Sequence, residues 1–206
     1  MSLHSSFVLV EGDHRRDLER LLSEFGYSFA VVPRTASSFL AASKVTFQWQ
    51  VSPTIVKKAV GFVRGWTALY DPEHVLAGDP AGLRRLARLT RSRVFALVCD
   101  GTSGAYGFTV VRGAATRALY ASGGATVIDL GPPLPEESGI HREALGEEDV
   151  KRVLERVAFP LAAVDDPGEW QVLTLATGEE SHAAAAGFTG GTGDAAARKR
   201  RWWRFW

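Results

Sequence analysis

The stretch Val94 to Leu130, VFALVCDGTSGAYGFTVVRGAATRALYASGGATVIDL, decides the fold. Val94 to Cys99 is a continuous apolar run rich in β-formers, which predicts a central strand. Asp100-Gly101-Thr102-Ser103-Gly104 is a turn. Three further runs follow, Tyr106 to Arg112, Thr116 to Ala121 and Thr126 to Leu130, with turns at Gly113 to Ala115 and Ser122 to Gly124. Strands in series joined by turns this short make an antiparallel meander.

Upstream, Phe7 to Val10 predicts a first strand. Gly12-Asp13 offers a turn and an N-cap, and Leu18, Leu21, Leu22 and Phe25 recur at helical spacing before Gly26, so a helix is expected over Asp13 to Phe25. Tyr27 to Val32 reads as a strand ended by Pro33. Thr35 to Ser43 is either a loop or a weak helix. Val45, Phe47, Trp49 and Val51 alternate with polar residues, the pattern of a half-buried strand. Thr54 to Val60 is expected to be a short helical or irregular connection, and Gly65 to Tyr70 a strand stopped by Asp71-Pro72. Asp79-Pro80 is an N-cap followed by Pro at the first helical position, and opens a helix whose inner stripe is Leu83, Leu86, Ala87 and Thr90.

Downstream, Gly131 to Glu137 leaves the sheet as a stiff extended segment. Glu147, Glu148 and Asp149 start a helix with acids in its first turn, and Val150, Val153, Leu154 and Val157 form its stripe. After the Asp165-Asp166-Pro167-Gly168 turn, Trp170 to Leu175 is a last strand. Paired strands with few helices give an α+β single domain over residues 1–178, with a largely antiparallel sheet and three main helices. Residues 179–197 turn to Ala, Gly, Ser and Thr and read as a flexible linker, and 198–206 as a tail peptide.

The net charge of +1 hides an asymmetry. The tail holds five of the 24 Lys and Arg and none of the 23 Asp and Glu, which leaves 19 against 23, a balance of −4, on the rest. A mildly acidic body argues against a nucleic-acid binder. Cys99 is the one cysteine, so no intramolecular disulfide forms. Met1 to Ser6 lacks a basic n-region, and no apolar stretch approaches the 18 residues of a membrane helix. A cytoplasmic location is expected, with peripheral membrane association as the alternative.

The candidate chemistry is sparse. Gly101, Gly104 and Gly107 follow a strand but lead into another strand, whereas a phosphate loop must lead into a helix. Cys99 stands beside Asp100, which opposes thiolate formation, and a buried structural cysteine is expected. His4, His14, His74, His141 and His182 are scattered, and no metal-ligand spacing is found. The adjacent acids Glu136-Glu137 and Asp165-Asp166 read as solvated surface. Arg84, Arg85, Arg88, Arg91 and Arg93 form a basic patch, either a solvated helix face or a contact for an acidic partner or phosphates. No catalytic residue, metal or cofactor is implied. An enzyme would need a site assembled from the loops Asp100 to Gly104 and Glu136 to His141.

The tail, Arg198-Lys199-Arg200-Arg201-Trp202-Trp203-Arg204-Phe205-Trp206, carries the most specific signal. Trp and Arg together suit protein hot spots, lipid headgroups and base stacking. Exposed aromatics at this density are expected to cover a target, be it a protein, a bilayer or the chain's own acidic surface. Arg200 to Phe205 resembles the short Arg/Trp-rich antimicrobial peptides, which implies affinity for anionic bilayers. Tyr106-Gly107-Phe108, the hairpin with Arg117, and Gly131-Pro132-Pro133-Leu134-Pro135-Glu136-Glu137 together resemble a layout in uncharacterised bacterial proteins of immunity-like or stress-associated type. That resemblance implies a bacterial origin and no catalytic motif. The expectation is a non-enzymatic binding protein, immunity-like or regulatory, whose tail recognises a protein partner. The alternatives are a peripheral membrane protein anchored by the same tail, and an enzyme with a loop-assembled site.

Overall fold

The computed structural model describes residues 5–46, 54–164 and 169–177. The alternating positions 47–51, the turn at 165–168, and the linker and tail expected over 179–206 lie outside the described residues.

Among the described residues ten strands form one sheet in which every pairing is antiparallel. They are β1 (Ser5–Glu11), β2 (Tyr27–Phe29), β3 (Arg34–Ala36), β4 (Ile55–Val63), β5 (Trp66–Tyr70), β6 (Val94–Asp100), β7 (Ala105–Arg112), β8 (Ala115–Ser122), β9 (Ala125–Leu130) and β10 (Trp170–Thr177). The order across the sheet is β2-β10-β4-β5-β1-β6-β7-β8-β9, and β3 shares with β2 the outer side of β10. The meander over β6 to β9 is as the sequence predicts.

Among the described residues the α-helices are α1 (Leu18–Ser23), α2 (Phe39–Thr46), α3 (Pro80–Thr90) and α4 (Glu147–Arg156), four rather than the expected three. They cover both faces of the sheet. Phe7, Leu9, Phe95, Leu97 and Cys99 pack with Phe39 and Ala42 of α2 and with Val150, Val153 and Leu154 of α4. Val8, Val10, Val94, Ala96 and Val98 pack with Leu18, Leu21 and Leu22 of α1 and with Leu83, Leu86 and Ala87 of α3. Burial on both faces explains why β1 and β6 are continuous apolar runs rather than alternating ones. Among the described residues no helix is long and apolar enough to cross a membrane.

Several sequence expectations are corrected. The helix expected from Asp13 begins only at Leu18, because the Asp13 carboxylate accepts hydrogen bonds from the Arg15 amide and guanidinium and holds a turn there. The strand expected to Val32 stops at Phe29, since the chain must turn before β3 takes up the same side of β10. Val45 and Thr46 belong to α2, which the Ser38 hydroxyl caps by accepting from Ala41 N at 3.2 Å. The ring of Phe39 sets that helix among Phe7, Tyr70 and Trp170, with centroids 4.9 to 5.4 Å away. Ile55–Val63 is a full strand between β10 and β5, not a connection.

β4 is held by a buried charge. Lys58 and Asp71 are fully buried, with Lys58 Nζ 2.5 Å from Asp71 Oδ1 and also paired with Glu73. Asp71 Oδ2 accepts from the amides of Leu76 (2.7 Å) and Ala77 (3.2 Å), so the same carboxylate shapes the loop that enters α3. Burial pulls the Lys58 ammonium down, but Asp71 and Glu73 outweigh it and hold it above the ordinary lysine value. Asp79 then caps α3 by accepting from Gly82 N at 2.9 Å.

A second buried pair fastens the segment after β9. Arg117 of β8 donates to both oxygens of Glu137, at 2.6 and 2.7 Å, and to the carbonyls of Leu130 and Gly131. Glu137 also accepts from Leu134 N (2.9 Å) and from Arg142 (3.1 Å). Glu137 is therefore core, and Glu136 is largely covered and paired with Arg112, so neither is the solvated acid expected; the segment closes in a 3-10 turn over Pro135–Glu137.

Two cross-strand pairs set a glycine under an aromatic ring. Gly61 faces Trp170 and Gly107 faces Tyr120. A Cβ on Gly61 would lie 2.5 Å from the Trp170 ring, and one on Gly107 would enter the Tyr120 ring and stand 2.7 Å from the Leu119 carbonyl oxygen. Gly107→Ala is expected to cost about 3 kcal/mol by overpacking, read as a lower urea midpoint with an unchanged slope. An unshifted midpoint would mean that the ring is free to move aside.

Arg117→Met leaves Glu137 buried without its main partner and is expected to cost about 3–5 kcal/mol. The double variant Arg117→Met, Glu137→Leu should recover part of that loss. Equal stability of single and double variants would contradict a coupled pair.

Alkaline pH should destabilise the fold. Burial pushes the Tyr27, Tyr70 and Tyr120 hydroxyls and the Cys99 thiol up to about 12. In the unfolded chain these groups titrate near 10 for tyrosine and about 8.5 for cysteine. Above those values the unfolded state holds fewer protons than the native one, so stability falls with pH, by about 1.4 kcal/mol per unit for each group. Urea unfolding from pH 7 to 11.5 should show a plateau, a decline from about pH 9, and a steeper one beyond about pH 10. A level profile through pH 11 would contradict the burial of these groups.

Candidate anion-binding cleft

The last turn of α3 carries Arg88. Arg91 ends the helix in the left-handed region, at φ 54°, and turns the chain back toward the sheet. Thr90 Oγ1 donates to the Leu86 carbonyl (2.9 Å) and accepts from Ser92 N (3.3 Å), which fixes that reversal. Arg93 follows and leads into β6, and its carbonyl accepts from Glu11 N at 3.0 Å. Val94 pairs with Val111, so Arg93 and Arg112 are neighbours just beyond that pair at one end of the sheet. Ala87, Arg88, Arg91, Ser92, Arg93, Arg112 and Gly113 line a cleft of about 420 Å³.

Its arginines are of two kinds. Arg93 is held on three sides. Its guanidinium lies over the Trp66 ring at 5.2 Å, donates to the Val157 carbonyl at 2.9 Å, and stands 3.4 Å from Glu11. Arg112 is held by Glu136 at 2.6 Å. Burial pushes the Glu136 carboxyl up, but its own backbone N–H, the Arg112 hydrogen bond and the fields of Arg112 and Arg93 bring it below the usual value. Arg93, Arg112 and Glu136 thus form one electrostatic unit. Arg88 and Arg91 are exposed and have no carboxylate partner among the described residues.

Four arginines line the cleft, while the negative charge beside them is Glu136 on Arg112, Glu11 on Arg93 and the carbonyl end of α3, which carries about half a charge. The cleft stays positive, and none of the residues lining it is acidic. Arginine forks of this kind suit oxyanions, because planar N–H pairs match the oxygens of a carboxylate or phosphate.

Of the arginines expected in a basic patch, Arg88, Arg91 and Arg93 come together in the cleft. Arg84 is exposed apart from the residues that line it. Arg85 is drawn away to the Glu24 carbonyl (3.2 Å) and carboxylate (3.3 Å) and to Asp79 (3.6 Å). Arg112 went unread because it lies on another strand. Only the β6–β7 register reveals it as the neighbour of Arg93.

The loop-assembled alternative gains little from the geometry. Asp100 accepts from Thr102 N and from the Ser103 hydroxyl. Burial raises its carboxyl, but these bonds outweigh that and lower it. His141 is 77% exposed and lies 3.4 Å from Asp149, a separate partner. Cys99 is buried, and its thiol is pushed up by burial and by the nearby Glu147. Gly107 lies inside β7, as a strand reading of that region requires. Among the described residues no three His, Cys, Asp or Glu side chains are grouped to hold a metal ion. Arg198 to Trp206 lie outside the described residues. Comparisons with protein-family models, with curated proteins and with solved structures find no match to this chain.

Proposed function

We propose that the protein is a non-enzymatic binding protein of bacterial, immunity-like or regulatory type, which holds an acidic protein partner through two arginine-rich contacts. One is the tail Arg198 to Trp206, and the other is the α3 arginine face with its cleft. The observation that carries this reading is how charge is spent in the body. The buried cations Lys58 and Arg117 are paired with carboxylates, whereas the exposed Arg84, Arg88 and Arg91 have no carboxylate partner among the described residues. The tail repeats that chemistry and adds Trp202, Trp203, Phe205 and Trp206 as anchors. Two weak contacts joined in one chain raise the overall affinity through effective concentration, by about 10²–10⁴-fold.

A second reading follows from the same tail composition: attachment to an anionic membrane, with indoles in the interface and guanidiniums on headgroup phosphates. Capture experiments separate the two. The full chain, a chain lacking Arg198 to Trp206, and Arg88→Ala/Arg91→Ala are each used to capture partners, and any protein lost is retested in purified form. Binding is expected to fall at least about tenfold without the tail, and by less in the arginine variant. Undiminished capture by the shortened chain would remove the tail from the function. Sedimentation with anionic but not neutral vesicles, reversed by salt, would favour the membrane reading.

A further inference from the structure

We infer that the cleft between α3 and the β7–β8 turn is a binding site for a phosphoryl oxyanion. This deepens the reading of the body's arginine contact and does not depend on the tail. Arg93 and Arg112 are held in place before any ligand arrives, Arg93 by Trp66, the Val157 carbonyl and Glu11, and Arg112 by Glu136. Half-buried Arg93 forms the floor, and exposed Arg112 is tied beside it by Glu136. Arg88 and Arg91 are exposed, have no carboxylate partner among the described residues, and can close on a ligand from the other side.

The charge balance selects the ligand class. Glu11 and Glu136 offset two of the four cations, and the end of α3 offsets about half of another. Between one and two positive charges remain, roughly the charge of a phosphate group. A phosphoryl group also presents three oxygens to several forks at once, whereas a lone carboxylate presents two. The cleft, at about 420 Å³, has room for the group that bears the phosphate.

Isothermal titration of the full chain with inorganic phosphate tests this, with chloride and sulfate at matched ionic strength as comparisons. Saturable one-site binding of phosphate is expected. Arg88→Ala/Arg91→Ala should weaken it by about 10–100-fold, the loss of charge-assisted hydrogen bonds. Neither side chain has a partner among the described residues, so the urea midpoint should stay unchanged and show that the fold is intact. A full-length variant with Arg198, Lys199, Arg200, Arg201 and Arg204 changed to Ala should bind phosphate within about twofold of the parent, whereas a tail-borne site would be abolished by it. Phosphate uptake no greater than that of chloride, or loss confined to the tail variant, would overturn the inference. Partner capture can fail while phosphate binding persists, and the reverse, so the two readings fall separately.

Discussion

A lysine ammonium sealed from water has to be met by negative charge, and in this fold that requirement organises half the sheet. Lys58 is inside because β4 runs between β10 and β5, and Asp71 meets it at the end of β5. An uncompensated buried charge costs about 3–5 kcal/mol, which is of the order of a domain's entire stability. The register of β4, the turn after β5 and the entry to α3 are therefore fixed together. Asp71 acts three ways at once, as counter-ion, as acceptor for Leu76 and Ala77, and, through its own amide, as donor to the Ser6 carbonyl of β1. Apolar residues of similar size would supply burial without that directional constraint.

Arg117 and Glu137 apply the same physics to the other half. The pair pulls the segment after β9 back over the sheet, where Glu136 meets Arg112. Structural charge is thus drawn inward and neutralised. Arginine at the ends of α3 and β7 is left facing outward, with only part of its charge offset. The cleft is a by-product of that division, since its floor is built from residues the fold already restrains.

Legibility in the sequence followed from how local the deciding physics was. The meander was readable because each strand is an apolar run bounded by glycine turns, and its partners are its sequence neighbours. α3 and α4 announced themselves through Asp79-Pro80 and through the acids before Val150. Ile55–Val63 was not readable: Lys57 and Lys58 interrupt its apolar pattern, and the carboxylates that license a buried lysine stand on a different element. Val45 and Thr46 alternate as a strand should, yet Phe39 docks among three rings and draws them into a helix. Glu137 looked solvated because its arginine is 20 residues away. The cleft was half legible, through Arg88, Arg91 and Arg93, and Arg112 required the strand register. Any contribution from the tail stays with its sequence.

The placement of β10 has a consequence for the order in which the molecule is made. Among the described residues, β2 and β3 are hydrogen-bonded in the sheet to β10 alone, and β4 has β10 as one of its two neighbours. Residues 170–177 are synthesised after every other strand of the described residues. While the chain is emerging from the ribosome, the meander and the β1–β5–β4 unit can assemble, but one side of β4 and the backbones of Tyr27–Phe29 and Arg34–Ala36 have no partner. Closing them requires contacts between residues more than 100 positions apart, a step with a large loop-closure cost. Until then the nascent chain displays open strand edges, so the interval before β10 docks is its period of greatest exposure to mispairing and to chaperones.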